Sequence, residues 1–209
     1  MMDLNITTNI NSITRGLSKT AKRQVPFAIA STLTKLAFEA MKEEKQQAPN
    51  YLDRPTPYTI KGFRYKKANK RNLMSVVYID GGSSSRSYMK YAIDGGVSRP
   101  KKSALIHPAK NSKLNKYGNL PRNYVKKAMA NKAKFFSGVP KGMQGEENSG
   151  IWQRYGPKNN QRIRMVAQWR KTRSYQAKFP FYEITGDVVF GRANAIFNKQ
   201  LAYAMATAK

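Results

Sequence analysis

The stretch QRIRMVAQW, residues 161–169, decides the fold class. Ile163, Met165, Ala167 and Trp169 alternate with Arg162, Arg164, Val166 and Gln168. That is the two-residue period of a strand with one apolar face and one mostly cationic face. KFFSGV (134–139) and GIWQRYG (150–156) read as further strands. NLMSVVYI (72–79) is β-branched and aromatic and runs into the turn residues DGGSSS, the pattern of a strand entering a turn.

A different period flanks these strands. From Ser12 to Gln47, Leu17, Ala21, Val25, Ile29, Leu33, Leu36 and Ala40 recur at spacings of three and four, one face of a helix. Pro26 lies inside the pattern, so the segment is either one helix kinked there or two helices meeting near Gln24. At the other end, Val189, Ala193, Phe197, Leu201 and Ala204 make a second helical stripe, with Asp187 placed to cap it. GNLPRNYVKKAMANK (118–132) predicts a helix of about three turns, with Asn119 as cap and Pro121 early. RSYMKYAIDGG (86–96) reads as either a short helix or an extended edge. Terminal helices around a mainly antiparallel sheet make an α+β fold, read as one domain over 1–209. Extended loops are expected at about 80–87, 97–117 and 140–149, where Gly, Ser and Lys outnumber apolar anchors. The two helices and the apolar face of 161–169 all need burial, so the helices are expected to cover that strand.

Charge narrows the function. Among 209 residues there are 39 Lys and Arg against 11 Asp and Glu, a formal net charge of +28. Self-repulsion on that scale is usually offset by a polyanion or by an oligomeric partner. Acids are absent from Gly95 to Gly145 and again from Asn148 to Tyr182. Lys61, Arg64, Lys66, Lys67, Lys70 and Arg71 form one cationic cluster, and Arg162, Arg164, Arg170, Lys171 and Arg173 a second. These eleven are the candidate polyanion-facing residues, set against phosphate or against acidic protein neighbours. Tyr58, Phe63, Tyr65, Trp152, Tyr155, Trp169 and Tyr175 are interleaved with them, either as base-stacking platforms or as ordinary core.

Chemistry is sparse. There is no Cys, which excludes disulfides, thiol catalysis and Cys-based zinc sites. One His, His107, excludes a His-rich metal cluster. No phosphate-loop or dinucleotide-binding motif occurs. Asp80, Asp94 and Lys90 could be forced into a nuclease site, but nothing in their spacing demands it, and Asp80 and Asp94 each precede Gly-Gly as turn residues do. The reading is therefore no enzyme and no cofactor. The longest uncharged apolar stretch, 24–34, is far short of a membrane span, and the N-terminus lacks a signal pattern, so an intracellular protein is expected.

KRQVPFAIASTLTKLAFEA (22–40), RPTPYTIKGFRYKKANKRNLMSVVYI (54–79), YMKYAIDGGVSRPKK (88–102), LNKYGNLPRNYVKKAM (114–129), GIWQRYG and KFPFYEITGDVVFGRANAIFNKQLAYAMATA (178–208) occur in an order that resembles bacteriophage tail-completion proteins of the minor tail protein Z type. The resemblance covers roughly 15–208. It implies a non-enzymatic virion protein of the neck or upper tail, acting when the DNA-filled head and the tail are joined. It further implies a ring of six or twelve copies around the DNA path, next to tail-terminator, head-completion or portal proteins and packaged DNA. Gly95, Gly96, Tyr117, Gly118, Asn119 and Gly150 match the family's recurring positions, which are structural. The alternative is a sequence-independent nucleic-acid-binding protein outside any virion.

Overall fold

The structure, a computed structural model, describes residues 3–7, 19–80, 89–99, 104–110 and 112–208. After strand β1 (Asp3–Thr7) comes helix α1 (Lys19–Tyr51), which runs as one element through Pro26 and Pro49. Proline inside a helix costs about 3 kcal/mol, because it removes one backbone bond and crowds the preceding turn. Burial of Val25, Ile29 and Leu33 around Pro26 offsets that, at roughly 1.5–3 kcal/mol per large side chain. The helix stops where DRPTP begins, since a residue before proline is pushed out of the helical region. Residues 12–18 of the expected helix lie outside the described residues.

Short helix α2 (Pro57–Lys61) is capped by Thr56, whose Oγ1 accepts the Thr59 N–H at 3.2 Å, and opens on Pro57. β2 (Phe63–Lys66) and β3 (Met74–Ile79) follow. The sheet order is β1-β3-β2, all antiparallel, with Phe63 opposite Ile79 and Tyr65 opposite Val77. Helix α3 (Lys90–Ile93) realises one of the two alternatives for 86–96.

The sequence reading places the two long helices on the strand at 161–169. They cover a different sheet. Phe63, Val77 and Ile79 of the first sheet share a core with Ala37, Ala40, Met41 and Ala48 of α1 and with Phe181, Ile184 and Val188 of the C-terminal helix. Val25, Ile29 and Leu33 continue it against Phe197 and Leu201. Three bonds between the helices run in step: Ser31 to Gln200, Glu39 to Arg192, and Glu44 to Thr185. Each advance along α1 is matched by a retreat along its partner, so the helices are antiparallel neighbours. The C-terminal helix spans Phe181–Ala206 and begins after Pro180, so Asp187 lies within it and does not cap it.

By contact density the chain divides into two units, Met1–Asp94 with Ala177–Lys209, and Gly95–Gln176. The second unit holds β4 (Gly96–Ser98), β5 (Leu105–Pro108), helix α4 (Tyr124–Ala130), β6 (Phe135–Gly138), β7 (Gly150–Tyr155), β8 (Arg162–Arg170) and β9 (Arg173–Tyr175). The C-terminal helix of the first unit is α5. β5-β8-β7-β6 form an antiparallel sheet, and β4 pairs with β9. The stretch 97–117 is therefore not a structureless loop. It lacks a readable period because its strands are short and contribute single edges. Its residues 100–103 and 111 lie outside the described residues, as do 81–88. The stretch 140–149 is turns and a 3-10 helix, Glu146–Asn148.

Helix α4 is shorter than expected and starts later. Its cap position is Asn123, held at φ 61°, and Asn119 instead takes part in a turn with Asn115, whose Oδ1 accepts its N–H at 3.1 Å. Gly95, Gly96 and Gly118 have φ of 68°, 110° and 74°, which is the conformation that requires glycine in these turns.

Candidate polyanion interface

The alternation that defines β8 is broken once. Ile151 lies opposite Ala167 and Trp152 opposite Met165, so Val166 is an extra residue, a β-bulge. One inserted residue exchanges the faces beyond it. Ala167 and Trp169 therefore share a face with Arg162 and Arg164, while Ile163 and Met165 lie on the other. The expected division into an apolar and a cationic face does not hold. Ala128 of α4, with Tyr124 and Val125, packs on Ile151, Val166 and Ala167, and Ile163 is left 37% exposed.

This geometry separates the five cations of β8 and its exit. Arg162 is exposed. Arg164 is half-buried, and its Nε and Nη2 both donate to Gln153 Oε1, at 3.0 and 2.9 Å, with its guanidinium 5.3 Å from the Tyr155 ring centre. At the far end Arg170 Nε donates to Gln168 Oε1 at 3.0 Å, and Lys171 pairs with Glu146. The carboxylate beside Lys171 raises that ammonium's pKa. Arg173 Nη1 lies 2.7 Å from His107 Nδ1, and its guanidinium 4.9 Å from the Tyr175 ring. The same Nη1 lies 3.3 Å from Nε2, so the guanidinium, which only donates, sits against the nitrogen edge of the ring. Burial first, then Arg173 and Arg170, lower the His107 pKa, since each disfavours the charged ring. From Arg162 to Arg170 the strand covers about 25 Å at roughly 3.3 Å per residue, the length of about seven phosphates along one DNA strand.

In the first unit the cations sit on β2 and the turn after it. Phe63 and Tyr65 point to the core, so Arg64 and Lys66 point outward. Arg64 Nε is 3.2 Å from Asp80 Oδ2, an exposed pair of little stabilising value. Lys66 Nζ lies 5.7 Å from the Tyr78 ring centre and Lys70 Nζ 5.2 Å from that of Phe27. Asn69 Oδ1 accepts the Arg71 and Asn72 N–H groups at 2.9 and 2.6 Å, a local turn that holds Lys67, Lys70 and Arg71 at the surface. Lys61 is exposed at the end of α2. The eleven candidates thus form two sets, one in each unit.

Of the interleaved aromatics, Phe63 and Trp152 are buried, and Trp152 Nε1 donates to the carbonyls of Gly138 and Asn148 at 3.2 and 3.1 Å. Tyr65 packs edge-on against Phe38. Tyr155 and Tyr58 are the exposed ones. Two features escaped the sequence reading. Arg154, whose Nη1 donates to the Lys132 carbonyl at 3.0 Å, lies over the Phe136 ring at 4.6 Å. His107 is the side chain whose ring nitrogens meet the Arg173 guanidinium. Neither has a sequence signal, because both depend on contacts between residues far apart in the chain. Asp80, of the nuclease alternative, is paired with Arg64, and Asp94 follows α3 with its N–H on the Lys90 carbonyl at 2.8 Å. Among the described residues no group of three or more His, Cys, Asp or Glu is placed to hold a metal ion, and no helix is long and apolar enough to cross a membrane.

No protein-family model, curated protein or solved structure matches the chain.

Proposed function

We propose that this chain is a structural virion protein of a tailed bacteriophage, a tail-completion or neck component that builds a ring around the DNA path and supports head–tail joining. The observation that carries the reading is the charge of the second unit. Gly95–Gln176 holds nineteen Lys and Arg against two acids, Glu146 and Glu147. A folded unit so one-sided needs a polyanion or an acidic neighbour to offset its self-repulsion. A neck ring with tail-terminator, head-completion or portal proteins beside it and packaged DNA within supplies both. The order of the quoted segments along 15–208 supports the same reading, as does the role of Gly95, Gly96 and Gly118 as turn formers. The side chains around the cations hold and orient them, as Gln153 does Arg164 and His107 does Arg173.

Quantitative mass spectrometry of purified virions, with gold labelling of a tagged chain, tests this. The expected result is a fixed copy number per particle and label at the head–tail junction. A chain found with DNA in the infected cell and missing from virions would establish the alternative, a sequence-independent nucleic-acid-binding protein.

A further inference from the structure

Helix α5 carries a side chain that the first unit leaves uncovered. Phe190 is 86% exposed, on the face opposite Ile184, Thr185 and Val188, which are buried. Its ring leans over Gly186, where an added Cβ would lie 3.8 Å from the ring. Leaning toward the helix N-terminus is the direction helical side chains take, and the absent Cβ leaves the ring as a knob above a low surface. Glu183 and Asp187 lie seven and three residues before Phe190, on the same face. In a chain of net charge +28, this is an apolar knob with an acidic rim.

The second unit has a complementary feature. A groove of about 370 Å³ is lined by Ile106, Pro108, Leu120, Pro121, Tyr124 and Val125. Ile106 at its edge is 42% exposed. Arg122 and Lys126, both exposed, are interleaved in sequence with these lining residues, and neither acid of the unit lines the groove. The groove is mainly apolar, with Asn119 and Asn123 completing its lining and the exposed Arg122 and Lys126 on the same segment, and it has room for a phenyl ring.

We infer that Phe190 of one copy seats in the Ile106–Tyr124 groove of a second copy, with Glu183 and Asp187 facing Arg122 and Lys126. Knob and groove are different surfaces, so the contact is head-to-tail, and repetition gives a closed ring or an open filament. Opposed charges fix the orientation and disfavour knob-to-knob pairing, where acids would meet acids. The inference deepens the ring reading by naming its subunit contact, yet it concerns the purified chain. Failure of the contact leaves the virion assignment standing, and absence from virions leaves the contact standing.

Sedimentation of the full chain at fixed ionic strength tests it. Wild type should form species larger than a monomer. Phe190→Asp and Ile106→Glu should each sediment as monomers, with unchanged circular dichroism because both sites are exposed. An equimolar mixture of the two variants should give a dimer and nothing larger, since one variant keeps the knob and the other keeps the groove. Asp187→Lys should weaken association about tenfold, and Arg122→Glu in the same chain should restore it. A monomeric wild type, self-association of either single variant as strong as wild type, or a mixture that stays monomeric would each overturn the inference.

Discussion

Thr185 Oγ1 donates a 2.7 Å hydrogen bond to Glu44 Oε1 across the seam between α1 and α5. Glu44 is fully buried, and its Oε2 has no hydrogen-bond partner among the described residues. Burial pushes its pKa from 4.5 up to about 8; the Thr185 bond opposes this, and the carboxylates of Glu183 and Glu43 add to it. The folded chain therefore holds a proton on Glu44 that the unfolded chain releases above pH 4.5. The stability from this group is complete below pH 4.5 and declines as pH rises through about 8. Its size is on the order of 5 kcal/mol, from 1.36 kcal/mol per pH unit. Glu44→Gln keeps an acceptor for Thr185 and cannot ionise. Urea denaturation from pH 5 to 9 should show wild type losing stability relative to the Gln variant as pH rises. Parallel curves would contradict this placement of Glu44.

The close approach of β7 to β8 depends on Gly150. A Cβ there would overlap the Ala167 carbonyl oxygen, which is backbone and cannot swing away. Gly150→Ala should destabilise the chain by about 1–3 kcal/mol, the usual penalty of overpacking, read as a lower urea midpoint. A midpoint within error of wild type would show that β8 yields at this point.

Aromatic residues on α5 should separate by face. Phe181 is fully buried and packs in the first core, so Phe181→Ala should cost about 3–5 kcal/mol. Phe190→Ala on the opposite face should fall within about 0.5 kcal/mol of wild type in the monomer. Thermal melts of the two variants give the comparison, and equal losses would contradict the assignment of faces.

Duplex DNA should bind without sequence preference, with log affinity falling linearly in log salt. Arg162→Glu should lower the magnitude of the slope by about one and leave the fold intact, since the residue is exposed; Arg173→Glu should lower the slope likewise while also removing the His107 and Tyr175 contacts. Arg164 is a poorer probe. It is half-buried on the face shared with Ala167 and bonded to Gln153, so its reversal should lower stability as well. Fluorescence anisotropy at several salt concentrations measures the slope, and an unchanged slope in both exposed variants would remove the DNA role from this strand.

The two long helices were legible because their apolar stripes are set by local spacing, and the strands at 74–79, 135–138, 150–155 and 162–170 because each carries β-branched or aromatic residues between turn signals. Their assembly was not. Val166 looks like one more residue in an alternating strand, and its bulge appears only in the pairing with Ile151 and Trp152. The need of three apolar stripes for burial points the helices to β8, yet β3, with Val77 and Ile79 in their core, is the strand they cover. β5 and β9 are four and three residues long, too short for any period to show. Of the site, the cations themselves were readable, while the contacts that orient Arg164 and Arg173 come from Gln153 on the paired strand and from His107 on a strand of another sheet.

The proposed role in head–tail joining is tested most directly by electron microscopy of the phage particles that the proposal requires, made with this gene disrupted. Separate DNA-filled heads and finished tails should accumulate, and adding the purified chain to the lysate should join them and restore infectivity. Joined, infectious particles at wild-type frequency in the disrupted phage would contradict a role in head–tail joining.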